Sequence, residues 1–267
     1  LQTFFHTSRI SFTLDPSALN FLFAGVISIM TICLVGFVDD LVIRRPNQSS
    51  GLQQWQKPLL TLFAAVPLMV VNAGTTLMAV PFFGKVDFGS MYPLFLIPLG
   101  VIGASNMVNM LAGYNGLEAG LGLIYFAQLG LYAYVNERYI ATLFALALFF
   151  SLLAFLFYNW NPAKILPGDS LTYLMGAGLA VIAILGNIEK AALIISLPFF
   201  AELFLKLRCK LNAKSYGYCK DGTIHSYYKE IYSLPHLFAR TGKFTETQIV
   251  VFLLLGELVI SSLIWVL

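Results

Sequence analysis

The stretch NFLFAGVISIMTICLVGFVDDL, Asn20 to Leu41, decides the fold class. It carries no charge from Asn20 to Val38 and then ends in two adjacent aspartates. A helix that crosses hydrocarbon needs about 20 mostly apolar residues, because lipid offers its backbone amides no partner. This segment has that length, and its carboxylates stand where the helix meets water. Seven further apolar segments follow, at 58–73, 92–111, 119–135, 140–158, 171–187, 190–206 and 248–267. The 267 residues are 58% hydrophobic and 11% charged, against roughly 45–50% and about 25% in soluble domains. The bilayer is therefore the main solvent. With 16 Lys+Arg and 13 Asp+Glu the net charge is +3, too small and too dilute for a nucleic-acid binder. Cys33 lies in an apolar run, and Cys209 and Cys219 are too far apart for a CxxC pair, which excludes a disulfide framework and a zinc site. The chain opens on Leu1, with neither a start methionine nor a basic n-region, as expected of a fragment rather than a signal peptide.

These segments predict an all-α polytopic membrane protein with about eight transmembrane helices, read as a single transmembrane domain over 1–267. Pro198 should bend the seventh span, and Pro67 and Asn72 should shorten or kink the second. Thr75 to Gly89 alternates apolar and polar residues around Phe83-Gly84-Lys85, so a small surface β-hairpin is expected within 75–90. The longest loop, 207–247, is too polar to be embedded. Eight crossings place successive loops on alternating sides. Twelve of the sixteen cations then share one face, with only Arg9, Lys85, Arg138 and Lys190 on the other. The richer face, which carries the long loop, is cytoplasmic by the positive-inside rule, and the hairpin is extracytoplasmic.

Polar residues gather at that same face. Asp39 and Asp40 repel each other, and such a pair usually has a cation, a basic partner or a proton to manage. Taken alone they read as a solvated helix end. Lys57 opens the next span on the same side, where a lone lysine would simply snorkel. The third span exits through NMVNMLAGYNGLE (Asn106 to Glu118), with Asn106 and Asn109 three apart on one helix face. Its plain reading is an interhelical hydrogen-bonding patch followed by a turn at Asn115-Gly116. The fifth exits through YNWNPAKILPGDS (Tyr158 to Ser170), where Asp169 could be no more than a helix N-cap. Glu202 and Glu257 are the charges placed well inside spans, and are expected near an interface or bonded to a neighbouring helix. Jointly, oxygen donors from three loops suit Mg²⁺ or Mn²⁺. Lysines and arginines at headgroup depth beside them fit phosphoryl transfer involving a lipid phosphate.

Those motifs, GFVDDL (Gly36 to Leu41), NMVNMLAGYNGLEAG (Asn106 to Gly120) and YNWNPAKILPGDS, resemble the polyprenyl-phosphate N-acetylhexosamine-1-phosphate transferases in order and spacing. The wording is most similar to the archaeal and eukaryotic UDP-GlcNAc:dolichyl-phosphate GlcNAc-1-phosphate transferases. The resemblance implies ten spans, so that two N-terminal helices would be missing here. It also implies an archaeal cell membrane or endoplasmic reticulum location, UDP-GlcNAc and dolichyl (polyprenyl) phosphate as substrates, and Mg²⁺ as cofactor. By similarity Asp169 and Asn109 would hold the metal and Lys57 would contact phosphate oxygens. Asp39 or Asp40 would position or deprotonate the lipid phosphate, and Asn115 would recognise uracil. Asn106 and Glu118 belong to the motif. Arg208 and Lys210 are the nearest counterparts of a loop run that grips diphosphate and sugar. Another UDP-N-acetylhexosamine with undecaprenyl phosphate is the alternative within the family. A transporter or noncatalytic scaffold is the alternative outside it, disfavoured because the ionisable groups gather at one face instead of the midplane. The sequence leaves open whether two chains pair as a homodimer.

Overall fold

The computed structural model describes residues 16–43, 51–53, 55–80 and 84–266. Leu1, Arg9, Arg44, Arg45 and Phe83 lie outside the described residues. Helix α1 (Pro16–Ile43) is followed by α2 (Gln56–Phe63) and α3 (Val66–Val70), then strands β1 (Leu77–Val80) and β2 (Gly84–Asp87). A π-helical turn, Tyr92–Leu96, leads into α4 (Ile97–Met110), and α5 (Leu117–Val135), α6 (Tyr139–Asn159) and α7 (Gly168–Gly186) come next. Beyond them are α8 (Glu189–Ile195), α9 (Leu197–Leu207), strands β3 (Tyr218–Lys220) and β4 (Thr223–His225), the short α10 (His236–Ala239) and α11 (Glu246–Ser262), closed by a 3₁₀ turn.

Five of these, α1, the π turn with α4, α6, α7 and α11 with its final turn, are long and apolar enough to cross a membrane. The other three expected spans are helical too, but altered in ways the side chains explain. In the second, Pro67 has no N–H to offer the Phe63 carbonyl, so α2 stops at Phe63 and α3 restarts. Asn72 then turns the chain at φ 46°. In the seventh, Pro198 leaves the Ile194 carbonyl without its donor and the helix breaks at Ser196, whose hydroxyl bonds the Ala192 carbonyl at 2.7 Å. The fourth, α5, is less apolar because it carries Glu118, Gln128 and three tyrosines.

Helix α7 is the axis of the bundle, packed by α1, α4 and α6. A Cβ on its Gly176 would lie 2.5 Å from the Ala104 carbonyl oxygen of α4, so only glycine lets those two backbones meet. Small residues at such crossings replace the hydrophobic drive that lipid cannot supply. Strands β1 and β2 pair antiparallel from Leu77↔Asp87 to Val80↔Gly84, which is the expected hairpin. A second hairpin, not foreseen, folds in the long loop around Asp221 (φ 51°) and Gly222 (φ 80°), the left-handed pair that a tight turn requires.

The end of α1, the start of α2, the end of α4 and the start of α7 lie at one end of the bundle. At the other end Tyr92 donates to the Glu189 carboxylate and so ties the start of α4 to α8. The long loop is pinned at the first end. Glu202, fully buried in α9, accepts from Ser233 Oγ at 2.6 Å, the Leu234 N–H at 2.8 Å and Ser215 Oγ at 3.3 Å. Lys206 pairs with Glu202 at 3.5 Å and donates to the Met110 carbonyl. Glu257 departs from expectation: both its oxygens are buried with no hydrogen-bond partner among the described residues.

Candidate active site

Two helix ends make the floor of the site. Gly36 of α1 sits where a Cβ would lie 2.5 Å from the Asp169 carbonyl oxygen and 2.8 Å from Ser170 Cα, so α1 touches the first turn of α7 backbone to backbone. Asp39 and Asp40 follow three and four residues on, one helical turn beyond that contact.

The adjacent aspartates do different work. Asp40 points at α7: its Oδ1 accepts the Asp169 N–H at 2.8 Å, and its Oδ2 accepts the Ser170 N–H at 3.0 Å and Ser170 Oγ at 2.5 Å. A carboxylate there satisfies orphan amides and sits at the positive end of the helix dipole. The capping role that Asp169 could have played is thus filled from another helix, and Asp169 is left free to face the site. Asp39, 1% exposed, accepts the Leu52 N–H and pairs with Lys57 Nζ at 2.5 Å. The same ammonium lies 3.1 Å from Asp169 Oδ2 and 5.9 Å from the centre of the Tyr173 ring. Lys57 is therefore no snorkelling lysine; it bridges two carboxylates brought from α1 and α7.

Asparagines of α4 complete this wall. Thr172 Oγ1 donates to Asn109 Oδ1 at 2.7 Å, and Thr172 lies one turn along α7 from Asp169. Asn106 donates to the Ile102 carbonyl at 2.8 Å and stands 3.4 Å from both Thr61 Oγ1 and the Tyr173 hydroxyl. Thr61, Thr172 and Tyr173 were missed in the sequence. The last two could have been found, since they stand three and four residues after Asp169 on one helix face. Asp40 also lines a recess of about 420 Å³ whose other walls include Phe37, Leu41 and Leu166.

Asn115 and Glu118 sit in the neighbouring turn. Glu118, buried, closes it by accepting the Gly113 N–H at 2.7 Å. The long loop covers this turn, with Tyr216 packed on Gly113 and the Gly217 N–H donating to the Tyr114 hydroxyl at 3.1 Å. Burial, helped by the charge of Glu246, pushes Tyr114 up to about 12 despite that donated bond. Arg208 and Lys210 join none of this. Arg208 donates to the Ile231 carbonyl at 3.3 Å and stacks over Tyr232, and Lys210 is exposed at φ 55°.

The fold and the site define a helical membrane protein whose helix ends assemble two carboxylates, a bridging lysine and two asparagines at one end of the bundle. The chain belongs to glycosyl transferase family 4, whose model matches residues 22–187. That range holds Asp39, Lys57, Asn109 and Asp169 and stops before the long loop. Among its relatives, a Saccharolobus solfataricus protein provisionally named UDP-N-acetylglucosamine–dolichyl-phosphate N-acetylglucosaminephosphotransferase is 36% identical over 234 residues, 86% of this chain and 70% of the relative. The Dictyostelium discoideum protein of the same name is 29% identical over 88% of this chain and 65% of its own length. A phospho-N-acetylmuramoyl-pentapeptide-transferase of Lactiplantibacillus plantarum is 37% identical over 63% of this chain and 53% of its own length.

Proposed function

We propose that the protein transfers GlcNAc-1-phosphate from UDP-GlcNAc to dolichyl phosphate and releases UMP, at the cytoplasmic face of the membrane. The observation that carries this is the joining of Asp39, Lys57 and Asp169 in one ion-paired cluster, in a chain whose archaeal and Dictyostelium relatives bear that activity in their names. The charge asymmetry of the loops supports the cytoplasmic side.

In the reaction an oxygen of the acceptor phosphate forms a bond to the β-phosphorus of UDP-GlcNAc. The bond from that phosphorus to the bridging oxygen breaks, and UMP leaves with the electron pair. Two anions must meet, so the repulsion between them is the first barrier. Lys57 supplies a cation already at the meeting point, held by two carboxylates from which phosphate oxygens can take it over. Of the two aspartates it is Asp39 that acts on the acceptor phosphate, through the lysine it shares with Asp169, while the oxygens of Asp40 are engaged by α7. Asp40 holds the Asp169 backbone in place. Asn115 meets the uracil, and the apolar walls beside Asp40 suit a prenyl chain.

The donor set fits a divalent cation. Asp169 carries a partly exposed carboxylate, the Asn109 amide oxygen is held by Thr172 one turn along the same helix, and Mg²⁺ usually takes one or two carboxylates and completes its shell with water and substrate phosphate. Bound there by Asp169 and Asn109, Mg²⁺ would neutralise the donor diphosphate and polarise it toward attack. The test is Asp169→Asn in membranes carrying the full-length protein, with UMP release measured from UDP-GlcNAc and dolichyl phosphate against Mg²⁺. Release should fall by about 100-fold or more; unchanged Mg²⁺-dependent release would remove Asp169 from the site. Refusal of UDP-GlcNAc while another UDP-N-acetylhexosamine reacts would overturn the sugar.

A further inference from the structure

The turn at Asn115-Gly116 is held from outside its own helices. Glu246 Oε1, in the first turn of α11, accepts the Asn115 N–H at 2.7 Å, and Asn159 Oδ1 accepts the Gly116 N–H at 3.2 Å. Asn159 is itself fixed by donating to the Ile165 carbonyl at 2.9 Å, and the next residue of α11, Thr247, accepts from Asn161 Nδ2 at 2.9 Å. The start of α11 thus ties the turn after α4 to the loop before α7, across 131 and 86 residues of sequence. The start of α11 needs neither bond to form. Thr245 and Gln248 already make a reciprocal capping box, at 3.0 and 3.3 Å.

We propose that Glu246 is a positioning residue for the nucleotide donor: its carboxylate fixes the backbone of Asn115 and so aims the Asn115 amide at the base. This rests on the transferase function proposed above. Glu246 meets the site through the Asn115 backbone, so it serves the end of the donor that Asn115 meets. The acceptor is charged and the bond short, which makes it stronger than a neutral turn bond. Its backbone target explains why no side-chain motif announces it.

The experiment compares Glu246→Ala, Glu246→Gln and Gln248→Ala in membranes carrying the full-length protein. The readouts are KM and kcat for UDP-GlcNAc and the affinity for UMP alone. Glu246→Ala should raise KM and weaken UMP by about tenfold, the scale of one lost charge-assisted bond, with kcat within about twofold. Glu246→Gln keeps an acceptor oxygen and should restore most of the affinity. Gln248→Ala weakens the same helix end without touching Asn115 and should leave KM unchanged. An unchanged KM in Glu246→Ala, a Gln248→Ala effect as large, or no rescue by glutamine would overturn the inference while leaving the function standing. A wild-type protein that releases no UMP from UDP-GlcNAc overturns both.

Discussion

Gly36→Ala adds one methyl group to a residue with no chemistry of its own, yet it should cost more activity than stability. The added Cβ would lie 2.5 Å from the Asp169 carbonyl oxygen, 2.7 Å from its carbon and 2.8 Å from Ser170 Cα. Ordinary contact begins at 3.4 Å, and all three obstacles are backbone, so no side chain can swing aside. The helices must part by about 1 Å, a misplacement that can cost about 100-fold in rate when it moves a reacting group. Here it moves two, because α1 carries Asp39 and α7 carries Asp169, and Lys57 spans them at 2.5 and 3.1 Å. The stability effect is smaller. Overpacking costs about 1–3 kcal/mol, against which alanine returns up to about 1 kcal/mol of helix propensity. Gly100→Ala is the matched control, since nothing lies within 4 Å of a Cβ there. UMP release at saturating substrate and thermal unfolding in detergent give the two numbers. Gly36→Ala with wild-type turnover, or with a loss no greater than its loss of folded protein, would refute the close-contact argument.

Three more outcomes follow from the same geometry. Lys57→Met should destabilise the protein by about 3–5 kcal/mol, because it strands Asp39 unpaired at 1% exposure; adding Asp39→Asn should recover part of that loss in denaturant titrations, and strict additivity would deny the pair. Asp40→Ala should cost about 1–2 kcal/mol as a lost helix cap, and Asp40→Asn less, whereas loss of activity with unfolding unchanged in both would make Asp40 a reacting group instead. His236 accepts the Tyr232 N–H at Nδ1 and so donates from Nε2 to the Lys214 carbonyl at 3.0 Å, a neutral tautomer. Burial first, then Lys206 and Arg240, depress its pKa below the ordinary 6.5. Its contribution is therefore complete above pH 6.5 and lost as pH falls below that value toward the folded pKa. Limited proteolysis of the long loop should speed up on acidification in the wild type and lose that dependence in His236→Ala.

Much of the fold was legible because its rules are local. Apolar runs marked the helices, and Pro67 and Pro198 marked their breaks, since a missing N–H acts four residues away. The Asp221-Gly222 hairpin was equally legible, and the turn pair stood in the sequence without being used. The site was legible as a set of loops that a shared membrane face must gather, which brought Asp39, Lys57, Asn109 and Asp169 to one end. What the sequence did not show was the division of labour within the set. Asp39 and Asp40 are identical and adjacent, and on a helix they point about 100° apart. Only the neighbour on each side, Lys57 or the first turn of α7, tells them apart. Glu246 was invisible for a related reason: its partner is a backbone N–H far away in sequence, and a backbone has no identity to read. Arg208 and Lys210 show the converse. Their charge suited the chemistry, but Glu202 fixes where the long loop docks, and that docking leaves them outside the cluster. Composition and spacing thus identify which groups share a membrane face. Which of them bears chemistry and which holds it in place is decided by contacts that sequence proximity does not encode.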